Sequence, residues 1–288
     1  MELRDKTVVL TGANGGLGQE LARQLADAGA RLVLVDLDQD SLAKIAGRLG
    51  TAKTRHCYLG VDLSSENGLT DLANFCRELP SGIDVLINSA GLNRFALLED
   101  SEFDATSKLM TVNLVAPIML TSMLLPLLRS KEEALVANIG SALGAIGNPG
   151  YSSYCASKAG LARFSETMRR ELSDTNVRVL HLNPRVISTT MNSESVNDLN
   201  RQLGNKSDSP EKIARILLGK IRNDQFGDHN VGWPERLFIR INALLPALVD
   251  RNFYKNLPLI KAAASHEGTR IKAADHNDLI TVLEATQN

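Results

Sequence analysis

Cysteine is scarce in this chain and never paired. Cys57, Cys76 and Cys155 are three, an odd number, with no CxxC spacing among them, which excludes a disulfide framework and a cysteine-built zinc site and fits a reduced, cytoplasmic setting. Aromatic residues make up only 4% of the 288 residues, too few for a surface on which nucleic-acid bases would stack. Charge of one sign is lacking as well: 32 basic residues stand against 33 acidic ones, for a formal net charge of -1. No whole-chain field therefore draws the protein to nucleic acid or to an acidic membrane. No run of about 18 apolar residues is evident, so nothing is expected to span a bilayer, and the opening MELRDKTVVLTG has neither the apolar stretch nor the cleavage site of a signal peptide. The histidines, His56, His181, His229, His266 and His276, show no ligand spacing and are expected to be structural or exposed.

What is present is an alternation of short apolar runs and amphipathic stretches. Val8–Leu10, Arg31–Val35, His56–Val61, Val85–Ile87, Leu135–Ile139 and Val177–Leu182 read as strands, with helical segments over Gly18–Ala28, Leu42–Leu49 and Tyr154–Leu172. A seventh, weak strand is expected around His229–Gly232. Continuous β-branched runs alternating with helices imply an α/β fold: one doubly wound, Rossmann-like domain with a parallel sheet covered on both faces. No Pro/Gly/Ser-rich linker and no internal repeat divides it. We assign residues 1–232 to this dinucleotide-binding and catalytic domain, 233–261 to an amphipathic C-terminal segment, and 262–288 to a polar tail.

The first strand runs into Thr11-Gly12-Ala13-Asn14-Gly15-Gly16-Leu17-Gly18. Glycines at a strand-to-helix turn let the backbone approach a ligand with no Cβ between, and the helix behind them offers unpaired N–H groups to a pyrophosphate. The spacing is GxxxGxG, not the commoner GxGxxG. Asp36 closes the second strand, where a carboxylate can accept from both ribose hydroxyls of an adenosine and would repel a 2′-phosphate. No Arg or Lys stands at 13–17 or 37 to offset that repulsion, so NAD is expected and NADP is the less favoured cofactor. Asp62, followed by Leu63, is placed to accept from the adenine amino group, or simply to cap the next helix. Tyr154 and Lys158 are four apart on a helix and share a face, where a lysine charge favours the phenolate and suits the pair to acid–base work on an alcohol or carbonyl oxygen. Tyr151 lacks such a lysine, since its fourth neighbour is Cys155.

Taken together, over about residues 5–225, these motifs resemble the short-chain dehydrogenase/reductase family: TGANGGLG at 11–18, Asp62, Asn88-Ser89-Ala90-Gly91, Asn113, Ser141, and Tyr154 with Lys158, Ser141 lying 13 residues before Tyr154. The resemblance implies roles residue by residue. Tyr154 would be the acid/base. Lys158 would lower its pKa and hold the nicotinamide ribose, Ser141 would bind the substrate oxygen, and Asn113 would hold a relay water. Gly12, Asn14, Gly16, Leu17 and Gly18 would take the pyrophosphate, Asp36, Asp62 and Leu63 the adenosine. Asn88, Ala90 and Gly91 would pack beside the cofactor, with Asn183-Pro184, Ile187 and Thr189 near the carboxamide. Two departures stand out: Ser89 replaces a second Asn, and Arg185 replaces the glycine usual after the proline. Arg185 is expected at the substrate mouth.

The implied function is an NAD-linked oxidoreductase interconverting a secondary alcohol and a ketone on a hydrophobic small molecule. The loops 92–95, 143–148 and 190–203 should bound that substrate, and Ala142–Ile146 is apolar. The alternatives are a dinucleotide sensor without turnover and an interaction protein on the same fold. Homo-oligomers are expected, without nucleic-acid or metal partners. In the C-terminal segment Leu237, Ile241, Leu244, Leu245 and Leu248 form a helical stripe, with Arg236, Arg240, Arg251, Lys255 and Lys261 around it and Pro246 breaking the helix. The stripe is expected to act as a lid or a subunit contact, or else to lie on a membrane surface. The tail is expected to be loosely ordered, with a short helix near 278–284.

Overall fold

The computed structural model describes residues 1–50, 56–189 and 191–285, with side chains as far as Ser265. Seven parallel strands form one sheet in the order β3-β2-β1-β4-β5-β6-β7: β1 Thr7–Thr11, β2 Arg31–Asp36, β3 Cys57–Gly60, β4 Val85–Asn88, β5 Ala134–Ile139, β6 Val177–Asn183 and β7 Gly227–Asn230. All pairings are parallel, for example Val9 with Val33 and Leu86. Alternation along each strand sends side chains to two separate apolar layers. Val8, Leu10, Leu34, Ile87 and Leu182 pack under α1 (Gly16–Asp27) and α8 (Pro210–Arg222). Val9, Val35, Leu86, Val136 and Val179 face α3 (Glu66–Glu78), α5 (Ala116–Arg129) and α6 (Ser152–Glu171). This is the doubly wound α/β architecture the sequence implies.

The order reverses between β1 and β4, so the loops leaving these two strands splay apart and open a crevice at their carboxyl ends. The β7 strand lies two residues earlier than its sequence signal, between Gly227 (φ 101°) and Gly232 (φ 99°); these two left-handed turns, which only glycine adopts cheaply, set its bounds. α2 covers Gln39–Leu49 and α4 Phe103–Met110. Between α4 and α5 the helix widens into a π turn at Thr111–Val115. By length and composition alone the stretch Phe103–Arg129 is long and apolar enough to cross a membrane, although Lys108, Thr111 and Asn113 interrupt the apolar run. Its inner row, Leu109, Ala116, Leu120, Leu124 and Leu128, is buried against the protein.

Beyond α7 (Glu194–Gln202) and α8, the C-terminal segment is helical throughout. α9 covers Trp233–Leu244, and after a break at Leu245 the helix α10 runs Pro246–Ala285. Pro246 thus starts a helix, a position it tolerates. The expected short helix near 278–284 falls within this long one. Thr190, the last three residues and the side chains of His266 and His276 lie outside the described residues.

Candidate active site

The glycine loop is shaped by contacts that exclude side chains. Gly12 has φ 71°, and a Cβ there would sit 2.7 Å from the Ala90 Cα. A Cβ on Gly18 would overlap the Gly12 carbonyl oxygen. The backbone of the β1 loop is therefore pressed against the β4 loop, and Thr11 pins the same junction by accepting from the Ser89 and Ala90 N–H groups, each at 3.1 Å. α1 opens at Gly15 with no side-chain cap, so its first-turn N–H groups face the crevice. Gly16 meets Thr189 from the β6 loop, whose Cγ2 lies 3.0 Å from where a Cβ would be. A cradle lined by bare backbone, with a helix N-terminus behind it, fits a pyrophosphate.

Asp36 stands beside this cradle. Its two carboxylate oxygens accept from the Asn14 N–H at 2.9 Å and the Leu37 N–H at 2.8 Å. Each oxygen keeps a further acceptor position. Asp62 accepts from both the N–H and hydroxyl of Ser64, which hold its carboxyl below the usual range. It serves the local turn, while Ser65 caps α3 and Leu63 is buried in the core.

At the other end of the crevice, α6 places Tyr154 and Lys158 one turn apart. Lys158 is buried, with its Nζ donating to the Ile139 carbonyl at 3.0 Å and lying 5.8 Å from the Tyr154 ring centre. No carboxylate faces it. Desolvation alone pulls the ammonium down to about 8. Tyr154 is pushed up to about 12, chiefly by burial, and the neighbouring Ser141 hydroxyl opposes the rise. Burial thus acts on both groups, leaving a neutral phenol beside a weakened ammonium. Ser141 sits at the end of the β5 loop and also accepts from the Leu143 N–H at 3.2 Å.

Asn113 lies at the centre of the π turn and is fully buried. Its side chain accepts from the Leu92 N–H at 2.7 Å and donates to the Leu92 carbonyl at 2.9 Å and to Ser157 Oγ at 3.1 Å. It ties the β4 loop to α6; both amide hydrogens are used, while Oδ1 keeps one further acceptor position. Gly91 passes directly over this junction: a Cβ on it would lie 3.6 Å from Lys158 Nζ. Asn88 is turned inward, donating to Asn138 at 2.8 Å and to Thr121 at 3.3 Å, and Asn138 passes the chain on to Ser165 at 2.8 Å. These bonds hold β4, β5, α5 and α6 in register beneath the site.

The β6 loop, with Pro184 and Ile187, brings Thr189 to the cradle, whereas Asn183, the last residue of β6, is turned to Asp228 at 2.8 Å. Arg185 does not reach the substrate mouth. Its guanidinium is bidentate on buried Asp208, 2.9 Å on each side, with a third contact to Glu235 at 3.3 Å. Lys212 joins Asp208 at 2.6 Å. The ion-pair cluster fastens the β6 loop to α8 and α9, which the sequence did not reveal because the partners lie 23 and 50 residues away.

The substrate side is apolar. Phe95, Tyr151, Val196 and Leu199 form a small core with Leu143, Tyr154 and, from α10, Phe253, Ile260 and Ala264. Sequence reading missed these last three; they recur at helical spacing but beyond the stripe that drew attention. That stripe is not a lid: Leu237, Leu244, Leu245 and Leu248 are exposed. A cavity of about 440 Å³ lies beside the site, between the loop 147–149, Cys155, and Phe253, Tyr254 and Leu257 of α10.

Residues 6–200 match the family model described as short chain dehydrogenase. The chain belongs to the short-chain dehydrogenase family. It is thereby an oxidoreductase. Among relatives, dehydrogenase/reductase SDR family member 7B of Danio rerio is 32% identical over 262 residues, covering 86% of this chain and 84% of the relative. The ketoacyl reductase HetN of a Nostoc species is 31% identical over 221 residues, 77% of each chain. A short-chain dehydrogenase/reductase from Burkholderia phymatum, solved in complex with NAD, superposes with a TM-score of 0.77 at 22% identity, over 86% of this chain and 96% of its own. The fold of this short-chain dehydrogenase is therefore that of its structural neighbours.

Proposed function

We propose that this short-chain dehydrogenase uses NAD to interconvert a secondary alcohol and a ketone on an apolar small molecule. The observation that carries the reading is the meeting of Ser141, Tyr154 and Lys158 under an apolar roof, at the open end of a crevice whose other end is the bare glycine cradle. A bound nicotinamide dinucleotide supplies or accepts the hydride. The residues that would hold it are Gly12, Asn14, Gly16, Leu17 and Gly18 at the pyrophosphate, Asp36, Asp62 and Leu63 at the adenosine, Asn88, Ala90 and Gly91 along the crevice, and Pro184, Ile187 and Thr189 at the nicotinamide end. Lys158 and Tyr154 would hold the nearer ribose. The carboxylate of Asp36 beside the cradle supports NAD over NADP.

In reduction, Tyr154 starts as a neutral phenol and gives its proton to the carbonyl oxygen, which Ser141 orients; in oxidation it takes the proton back. The Lys158 ammonium, near enough to stabilise the developing phenolate, makes that transfer possible in a buried setting. Asn113 holds the floor of the site through Leu92, and the remaining acceptor position of its Oδ1 would hold a relay water. The apolar lining by Phe95, Leu143, Val196 and Ile260 favours a hydrocarbon-rich substrate over a sugar.

The test is the nicotinamide absorbance change with NAD and a panel of secondary alcohols of increasing chain length, run in both directions. Turnover that rises with apolar chain length is expected. A protein that binds dinucleotide yet turns over no alcohol or ketone in the panel would return the reading to a sensor.

A further inference from the structure

Among the described residues, the outer face of α9 and the first turns of α10 has no partner. Trp233, Arg236, Leu237, Arg240 and Leu244 stand at positions i, i+3, i+4, i+7 and i+11, so they share one side of α9, and all are exposed, Trp233 at 73% and Leu244 at 79%. Leu245, Leu248 and Tyr254 carry the apolar surface across the break into α10. The inner side of the same hairpin is already occupied: Phe253, Ile260 and Ala264 pack over Tyr151 and Val196, and Asn242 donates to the Ala145 carbonyl at 3.3 Å. The exposed side is thus not a core face awaiting the rest of the domain.

Its charge is one-sided. Between Trp233 and Ser265 five cations, Arg236, Arg240, Arg251, Lys255 and Lys261, stand against Glu235 and Asp250, in a chain whose overall charge is -1. Glu235 is turned inward onto Arg185. All five cations are exposed, and among the described residues none is in an ion pair. Apolar side chains, an interfacial tryptophan and tyrosine, and cations without a counter-ion on the exposed sides of α9 and α10, Arg236 donating only to the Asn230 carbonyl, match the chemistry of an anionic bilayer surface, where the apolar groups enter the acyl boundary and the cations meet phosphate. A twofold contact with a second copy would set the same cations against themselves.

We propose that this face docks the enzyme on an anionic phospholipid membrane, with α9 and the start of α10 lying in the interfacial plane. Docking brings the mouth of the site to the lipid: Tyr254 belongs both to the exposed face and to the wall of the 440 Å³ cavity beside Cys155. The docking claim does not depend on the substrate, and its test reads binding rather than turnover.

Trp233 is the chain's single tryptophan, so its emission reports directly on the proposed face. The full-length protein is mixed with vesicles of phosphatidylglycerol and phosphatidylcholine, or phosphatidylcholine alone, and followed by flotation and by Trp233 fluorescence. The expected result is flotation and a blue shift with the anionic vesicles only, weakening as salt is raised. The double variant R236Q/R240Q should lose about 25-fold in vesicle affinity, about fivefold for each cation near the surface. Leu244→Glu should also weaken flotation, with circular dichroism unchanged. Absence of both flotation and shift with anionic vesicles at low salt overturns the proposal. So does a blue shift that appears without vesicles and grows with protein concentration, which would assign the face to self-association.

Discussion

Lys158 is a buried cation without a counter-ion, and that isolation has measurable consequences. Among the described residues its hydrogen bond goes to a carbonyl oxygen, and desolvation holds its pKa near 8. In the unfolded chain an ordinary lysine titrates near 10.4. Between those two values the unfolded state binds more protons than the folded one, so stability should rise with pH across that window and carry the full penalty below it. Lys158→Met removes the penalty. We expect it to abolish turnover and weaken dinucleotide binding while raising stability by about 1–3 kcal/mol, a shift of about 2–4 °C in Tm per kcal/mol for a chain of this size. Thermal unfolding at pH 7 checks it; an unchanged or lower Tm would mean that Lys158 has favourable contacts beyond Ile139. Tyr154→Phe is the complementary case. The ring keeps its packing against Tyr151, so dinucleotide affinity should stay within a few-fold, but no proton can be exchanged and kcat should fall by at least about 100-fold. Turnover above that level would remove Tyr154 from the chemistry. For the wild type, reduction needs both the phenol and the ammonium protonated. Tyr154 stays protonated well past neutral pH, so the alkaline loss of reductase activity should follow Lys158, near pH 8.

Asp36 has two duties at this scale. It holds the cradle through the Asn14 N–H and, on our reading, meets the adenosine ribose. Asp36→Ala should therefore lower efficiency with NAD while changing it little or raising it with NADP, since the repulsion of a 2′-phosphate is removed. Comparing kcat/KM for the two cofactors decides it, and an unchanged ratio would leave Asp36 with only its structural bond.

Among the elements, those whose environment is encoded locally were legible in the sequence. Five of the seven strands are dense β-branched or leucine runs, because each must be apolar towards both helical layers, and the glycine loop announces itself by four glycines where strand meets helix. The spacing of Tyr154 and Lys158 on α6 placed them together without knowledge of anything else. The edge strands β3 and β7 were faint because each is only half-buried. What the sequence could not show were contacts made at long range. The π turn at Asn113 leaves no periodic trace over five residues. The Arg185 cluster is the clearest case: an arginine after β6 looked like a group for substrate, and its partners Asp208 and Glu235 could be found only once the helices were placed. With Asp208 almost fully buried and Lys212 its only other cation, Arg185→Gly should cost about 2–3 kcal/mol and loosen the β6 loop. Urea unfolding measures it. A loss in substrate selectivity with no loss of stability would restore the expected role at the substrate mouth.

For the whole molecule, the two ends of the crevice are built from different parts of the chain. The cradle is made by the loops of β1, β2 and β4 and needs nothing beyond β7, whereas the apolar roof over Tyr154 is closed by Phe253, Ile260 and Ala264 from a helix that the domain core does not require. The large apolar layers that hold the sheet draw on residues no later than Val231. A chain ending after Gly232 should therefore still fold cooperatively. It loses the Glu235 contact to Arg185, but Arg185 keeps its bidentate bond to Asp208, so the β6 loop should stay in place. Dinucleotide affinity, read by calorimetry, should remain within a few-fold of the full chain. The roof, however, is gone, and with it the exclusion of water from a pair whose chemistry depends on burial: the Tyr154 and Lys158 pKa values should relax towards their ordinary range as solvent enters. Efficiency on long-chain ketones should then fall by at least about 100-fold, a loss on the scale of a misplaced or solvated catalytic group, while short, water-soluble ketones lose less because they gain little from the apolar lining. If the truncated chain turned over long and short substrates in the same ratio as the full one, α10 would be no part of the substrate site, and the apolar cluster around Tyr151 would be packing alone.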